Sequence, residues 1–169
     1  MPAEAWERPA PCEGWVARDV VRHLVEWLAP PGFLLGTFDV DPGPLPSVDD
    51  DPAGAWALVR DAIQRGLDDP ATAERVEDCG PPGPLSFARA VDMTCTPDVL
   101  VHTWDLARAT GLDERLDPDE VRRMVTGFDA LPPEVDAAMR SSGHYGPKVD
   151  VPADADDQAR LLAFLGRRP

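Results

Sequence analysis

Asp98 and His102, a carboxylate and an imidazole four residues apart, lie in Thr96-Pro97-Asp98-Val99-Leu100-Val101-His102-Thr103-Trp104-Asp105-Leu106-Ala107-Arg108-Ala109-Thr110-Gly111. On a helix this spacing brings the two Cβ atoms within about 5–6 Å, so both side chains can reach one divalent ion at bonds of about 2.0–2.2 Å. Without an ion, the same pair reads as a solvated or ion-paired helix face. A third donor decides between the readings, and His23 is the candidate. It falls on the same side of its segment as Val16, Val20 and Trp27, with Asp19 and Glu26 about a turn away. An inward imidazole there is either the missing ligand or a buried histidine satisfied by Asp19, Glu26 or a backbone carbonyl. With His23 as that ligand, the set His23, Asp98 and His102 would leave a fourth position open, as expected of a catalytic rather than a structural ion.

Both candidate ligand segments read as helices. Over 96–111, Thr96 suits a cap, Pro97 the first helical position and Gly111 a left-handed stop. Leu100, Trp104 and Ala107 line one side; Asp98, His102, Asp105 and Ala109 form a polar stripe on the other. Val16 to about Ala29, stopped by Pro30 and Pro31, is apolar over most of its circumference and is predicted to be central in a bundle. Before it, Trp6 to Trp15 is an aromatic-anchored loop punctuated by Pro9, Pro11 and Gly14. Phe33–Asp51, with the run Asp49-Asp50-Asp51, reads as a loop, either beside the site or a solvated connection.

Helical periodicity returns over Pro52–Leu67, with Gly54 and Gly66 weakening the ends. Asp68–Pro84 is acidic and then Gly/Pro-rich, and Leu85–Cys95 is either a short helix or a tight connection. Asp117-Pro118-Asp119-Glu120 opens a helix to about Ala130, Pro132 to about Ser141 is a shorter one, and Asp156–Gly166 closes the chain, burying Leu161, Leu162, Phe164 and Leu165. His144, in the turn between the last two helices, reads as an exposed histidine outside the site. The pattern is all-α, one domain over 1–169, with a bundle core at 6–111 and a C-terminal helical extension at 112–169.

A chain of 169 residues with 43% hydrophobic content can bury a core of its own. Its net charge of -15 repels phosphate backbones and anionic lipid, so nucleic acid and membrane surfaces are excluded as expected partners. Trp27–Phe38, the longest apolar stretch, is broken by Pro30, Pro31, Gly32 and Gly36, and Glu4, Glu7 and Arg8 interrupt any signal-peptide core. Cys12, Cys79 and Cys95 include no CxxC pair and suit a reducing, cytoplasmic setting; Cys12 reads as a buried structural thiol. Asp19, Glu26 and Asp105 either orient the two imidazoles or pair with Arg18, Arg22 or Arg108, while Trp104 and Asp105 are expected to pack and fix their helix.

The loop Trp-Glu-Arg-Pro-Ala-Pro-Cys-Glu-Gly-Trp, then Asp19 and His23, then Asp98 and His102 within His-Thr-Trp-Asp-Leu-Ala, resemble the actinobacterial metal-binding proteins related to mycothiol-dependent maleylpyruvate isomerase. That group belongs to the wider superfamily of DinB-like four-helix bundles. The resemblance runs through most of the chain to its Arg-Leu-Leu-Ala-Phe-Leu-Gly-Arg ending. It implies a divalent metal, usually zinc, on His23, Asp98 and His102, with Asp98 where the isomerase itself carries Glu. It further implies mycothiol as a small-thiol co-substrate acting on an electrophile, by isomerisation or S-transfer.

Ligand type alone admits Ni2+ or Fe2+ as well as Zn2+, and two histidines with one carboxylate are also the set of non-haem iron oxygenases. Proteins of this group begin with a helix ahead of the Trp loop, whereas Met1 here stands close before Trp6, so the bundle is expected to lack its first helix. Apolar surface left open would favour a homodimer. A non-catalytic, metal-stabilised helical domain that binds a protein partner is the alternative function.

Overall fold

Three of the long helices begin where an aspartate side chain takes up free backbone N–H groups. Asp51 accepts from Gly54 N at 2.9 Å to open α3 (Pro52–Asp68). Asp117 accepts from Asp119 N and Glu120 N, both at 3.0 Å, to open α7 (Pro118–Asp129). Asp156 accepts from Ala159 N at 2.8 Å to open α9 (Asp157–Phe164). Helix α1 (Ala17–Leu28) starts differently: its third residue, Asp19, reaches back to Val16 N at 3.0 Å. Asp19 is therefore committed to the helix start and does not orient His23.

The computed structural model describes residues 2–141 and 146–169, so the turn carrying His144 lies outside the described residues. The architecture is predominantly helical. After a 3-10 turn at Ala3–Glu7 and α1 come α2 (Phe33–Thr37), α3, α4 (Pro70–Ala73), β1 (Val76–Asp78), β2 (Pro84–Ser86), α5 (Phe87–Ala90), a π turn (Val91–Cys95), α6 (Thr96–Thr110), α7, α8 (Pro133–Ser141) and α9. The strands form one antiparallel hairpin with Glu77 opposite Leu85.

The Phe33–Asp51 stretch differs from the sequence reading in two ways. Phe33–Thr37 is helical rather than loop, because Leu34 and Leu35 are fully buried and one helical turn points both inward. The acidic run that follows is engaged: Asp49 pairs with Arg22 at 2.6 Å, Arg18 donates to the Asp49 carbonyl, and Asp51 caps α3.

Helix α6 does not start at a Thr96 cap. The chain is already helical from Phe87, and Thr96 N donates to the Val91 carbonyl five residues back, a π-type bond. The cause is Pro97, which has no N–H and whose ring crowds the carbonyl four residues earlier; a widened turn placed just before it lets the helix continue. Thr94 Oγ1 donates to the Ala90 carbonyl at 2.6 Å within that turn. At the other end Gly111, at φ 74, supplies the left-handed stop.

α6 lies between two apolar cores. On one side Val21, Val25 and Leu28 of α1, Leu34 and Leu35 of α2, Val59 and Ile63 of α3 and Phe87 form a cluster against which Val99 and Leu106 pack. On the other, Val101 and Trp104 join Val121, Met124 and Val125 of α7, Leu161 and Leu162 of α9, and Leu165 just past its end. The polar stripe of α6 is consequently interior: His102 and Asp105 are both buried. Among the described residues the exposed large apolar side chains are Val76, Met93, Leu112 and Val135, on separate segments, and Trp6 and Phe33 pack onto the first core. No helix of the described residues is long and apolar enough to cross a membrane.

Gly66 tests this packing. A Cβ there would lie 2.6 Å from Phe87 Cε1, so Gly66→Ala should destabilise the protein by about 1–3 kcal/mol from overpacking, although alanine favours a helix by about 1 kcal/mol. Urea denaturation reads the sign; a stabilised variant would show that Phe87 is not tightly held.

Candidate metal centre

The loop ahead of α1 is closed on itself by Ala10 N to Trp15 O at 2.8 Å, Trp15 N to Cys12 O at 3.0 Å and Ala17 N to Arg8 O at 2.9 Å. Gly14, at φ 77, makes the reversal. Arg8 then donates to the Thr110 carbonyl at 3.1 Å, tying the loop to the end of α6. Trp15 and Cys12 are thereby delivered to the flank of α6, with α1 packed alongside.

His23 from α1 meets Asp98 and His102 from α6. His23 Nε2 is 3.2 Å from Asp98 Oδ2, and His102 Nε2 is 3.6 Å from Asp98 Oδ1. The imidazole centroids are 4.8 Å apart. One donor atom from each residue lies within 4.8 Å of the others, a set able to hold a metal ion. Donors sharing a tetrahedral ion at bonds of about 2.0–2.2 Å lie roughly 3.3–3.6 Å apart, close to the two His–Asp separations. The side chains of His23 and Asp98 are 34% and 30% exposed against 7% for His102, so the cluster is deep at His102 and open at the other two. Trp15 stacks on His102 at 5.9 Å and tilts against His23 at 5.4 Å, and Trp27 lies parallel to His23 at 6.2 Å. Aromatic faces therefore flank both imidazoles.

Of the three acids read as either orienting the imidazoles or pairing with arginines, Asp105 orients one, and Asp19 lies 3.6 Å from Arg22 Nε. His102 Nδ1 lies 2.9 Å from Asp105 Oδ2. A carboxylate only accepts, so Nδ1 carries a proton, and in the neutral ring the lone pair is on Nε2, on the side of Asp98 and His23. Burial pushes the Asp105 carboxyl up, but hydrogen bonds from His102 and Arg167 and the Arg167 charge outweigh it and hold the group below its ordinary value. Arg167 donates to Asp105 through Nη2 at 2.8 Å and Nε at 3.3 Å. Arg108 pairs instead with Glu114, and Glu26 is exposed.

Cys12 Sγ donates to Asp105 Oδ2 at 3.4 Å and receives Arg167 Nη2 at 3.5 Å. Burial, and then the Asp105 charge, pushes the Cys12 thiol up to about 12, so it stands there as a protonated donor. Cys95, buried beneath Asp98, is likewise raised to about 12, first by burial and then by the Asp98 charge.

Sequence reasoning missed Arg167. It lies 62 residues from Asp105, beyond the last helix, and no local spacing links the two. The polar character of Asp105 between Trp104 and Leu106 was the available signal, since a buried carboxylate requires a partner.

No family model and no solved structure matches the chain. Two uncharacterized proteins of Mycobacterium tuberculosis, Rv0738 and MT0763, are similar to it, each 27% identical over 177 residues that span 94% of this chain and 83% of theirs.

Asp105→Asn leaves the Arg167 guanidinium largely buried without its counter-charge and should destabilise by about 3–5 kcal/mol at neutral pH. The folded pKa of Asp105 lies below the unfolded value of about 3.9, so its contribution is present above that value and fades as pH falls through the folded one. Denaturation curves of both proteins should converge in acid; a gap independent of pH would refute the charge pairing.

Proposed function

We propose that this chain is a divalent-metal-binding helical protein of the DinB-like type, in which His23, Asp98 and His102 hold zinc for chemistry on a small thiol. The reaction class is isomerisation or S-transfer, with mycothiol as the thiol and an electrophilic carbon as its target. The observation that carries the reading is the convergence of three donor atoms from two helices, one imidazole deep and the other donors open to solvent. Their chemistry fits the group: two neutral imidazole nitrogens and one carboxylate suit zinc, and leave a coordination position for a further ligand.

When bound, such an ion supplies a Lewis acid that keeps a thiol ionised near neutral pH. The residues do the rest of the positioning. Asp105 fixes the His102 tautomer so that Nε2 faces the cluster. Trp15 covers the His102 face, which leaves the His23–Asp98 side as the approach for thiol and electrophile. Burial holds the Cys12 and Cys95 thiols protonated in the metal-free protein.

Elemental analysis of purified, tag-free protein should find about one divalent ion per chain, lost from both His23→Ala and His102→Ala prepared identically. Loss of thiol-dependent turnover in the same variants, with an electrophilic alkene as substrate, would assign the chemistry. Wild-type protein without bound metal, or variants that retain it, would overturn the centre; bound metal without thiol-dependent turnover would overturn the enzymatic part alone.

A further inference from the structure

His102 belongs to two donor sets. Its Nε2 face meets His23 and Asp98, while on its Nδ1 face stand Asp105 and Cys12, and the second set is as compact as the first, with its donor atoms within 4.8 Å of one another. By donor chemistry the second set is the more attractive to zinc, since it offers a sulfur ligand beside an imidazole and a buried carboxylate. A neutral imidazole has one lone pair, so an ion on one face excludes an ion on the other.

The Nδ1 set already contains a cation. The Arg167 guanidinium places Nη2 at 2.8 Å from Asp105 Oδ2 and 3.5 Å from Cys12 Sγ, and Nε at 3.3 Å from Asp105 Oδ1. Its position is fixed by the backbone. Gly166 turns the chain at φ 83 where an added Cβ would meet the Pro147 carbonyl at 3.1 Å, and Arg167 N donates to the Leu162 carbonyl at 2.8 Å. Nη1 is spent on the Leu165 carbonyl at 3.0 Å.

We propose that Arg167 is a built-in cation that reserves the Nδ1 side of His102, so that a divalent ion is taken only on the Nε2 side with His23 and Asp98. The guanidinium repels a second cation and neutralises Asp105. Asp105 then accepts the Nδ1 proton and turns the lone pair outward. Arg167 is thus a positioning residue that selects the metal site, acting through Asp105. The inference rests on the metal reading above but concerns which donor set is used.

Cobalt(II) titration of metal-free protein tests it, because a thiolate ligand adds a near-ultraviolet charge-transfer band that nitrogen and oxygen ligands lack. Wild-type protein should bind cobalt without that band. Arg167→Met removes the charge while keeping an apolar stem, and should acquire the band; adding Cys12→Ser should abolish it again. Arg167→Lys, which keeps a cation, should behave as wild type. A thiolate band in the wild type itself overturns the proposal whether or not the variants fold. So does an Arg167→Met protein, native by circular dichroism, whose cobalt spectrum is unchanged. A wild type that binds no cobalt beside an Arg167→Met protein with the band sinks the His23–Asp98–His102 centre, and with it the Nε2 half of this inference, while bearing out that Arg167 closes the Nδ1 side. Cobalt bound by the wild type with identical spectra in Arg167→Met does the reverse.

Discussion

A carboxylate with no exposure to solvent is tolerable only when its charge is met, and Asp105 is such a group. Its oxygens accept from His102 on its own helix, from Cys12 in the N-terminal loop and from Arg167 beyond the last helix. Three distant parts of the chain are therefore held at one point in the middle of α6. Removing Arg167 leaves that buried carboxylate without its counter-charge, a larger penalty than the loss of a surface ion pair.

Geometry around that point follows from α6 having apolar neighbours on two sides. Val99 and Leu106 pack on the core built by α1, α2 and α3, while Val101 and Trp104 pack on the core built by α7 and α9. What lies between the two apolar faces is forced inward with them. The Asp98–His102–Asp105 stripe thus becomes an internal seam, one end open beside His23 and the other sealed by Arg167. The π turn ahead of Pro97 keeps the helix continuous into this seam, where an ordinary α-helical turn would have set the proline ring against a carbonyl.

The gradient of exposure across the cluster gives the proposed chemistry its direction. The deep imidazole is locked by its acid and covered by Trp15, and the more exposed His23 and Asp98 stand where a small ligand can arrive. A site built in this way separates what must be rigid from what must be reached.

Much of this was legible in the chain itself. Helical periods, the cap at Asp117, the glycine stop at Gly111 and the four-residue spacing of Asp98 and His102 are local patterns, set by hydrogen bonds and side-chain directions within a few residues. The placing of His23 on the inward side of α1 is of the same kind. The short helix of Leu34 and Leu35 and the unbroken run from Phe87 into α6 were not legible, because burial by distant elements and the accommodation of Pro97 decided them. Nor could any spacing show that the Asp105 side of the stripe points into the protein, or that Arg167 would meet it. Helix packing brings those groups together, and a pairing across 62 residues leaves no periodic trace. Sequence determined which side chains could bind an ion; the tertiary structure decided which of them face one another, since only packing sets the distances on which charge pairing and coordination depend.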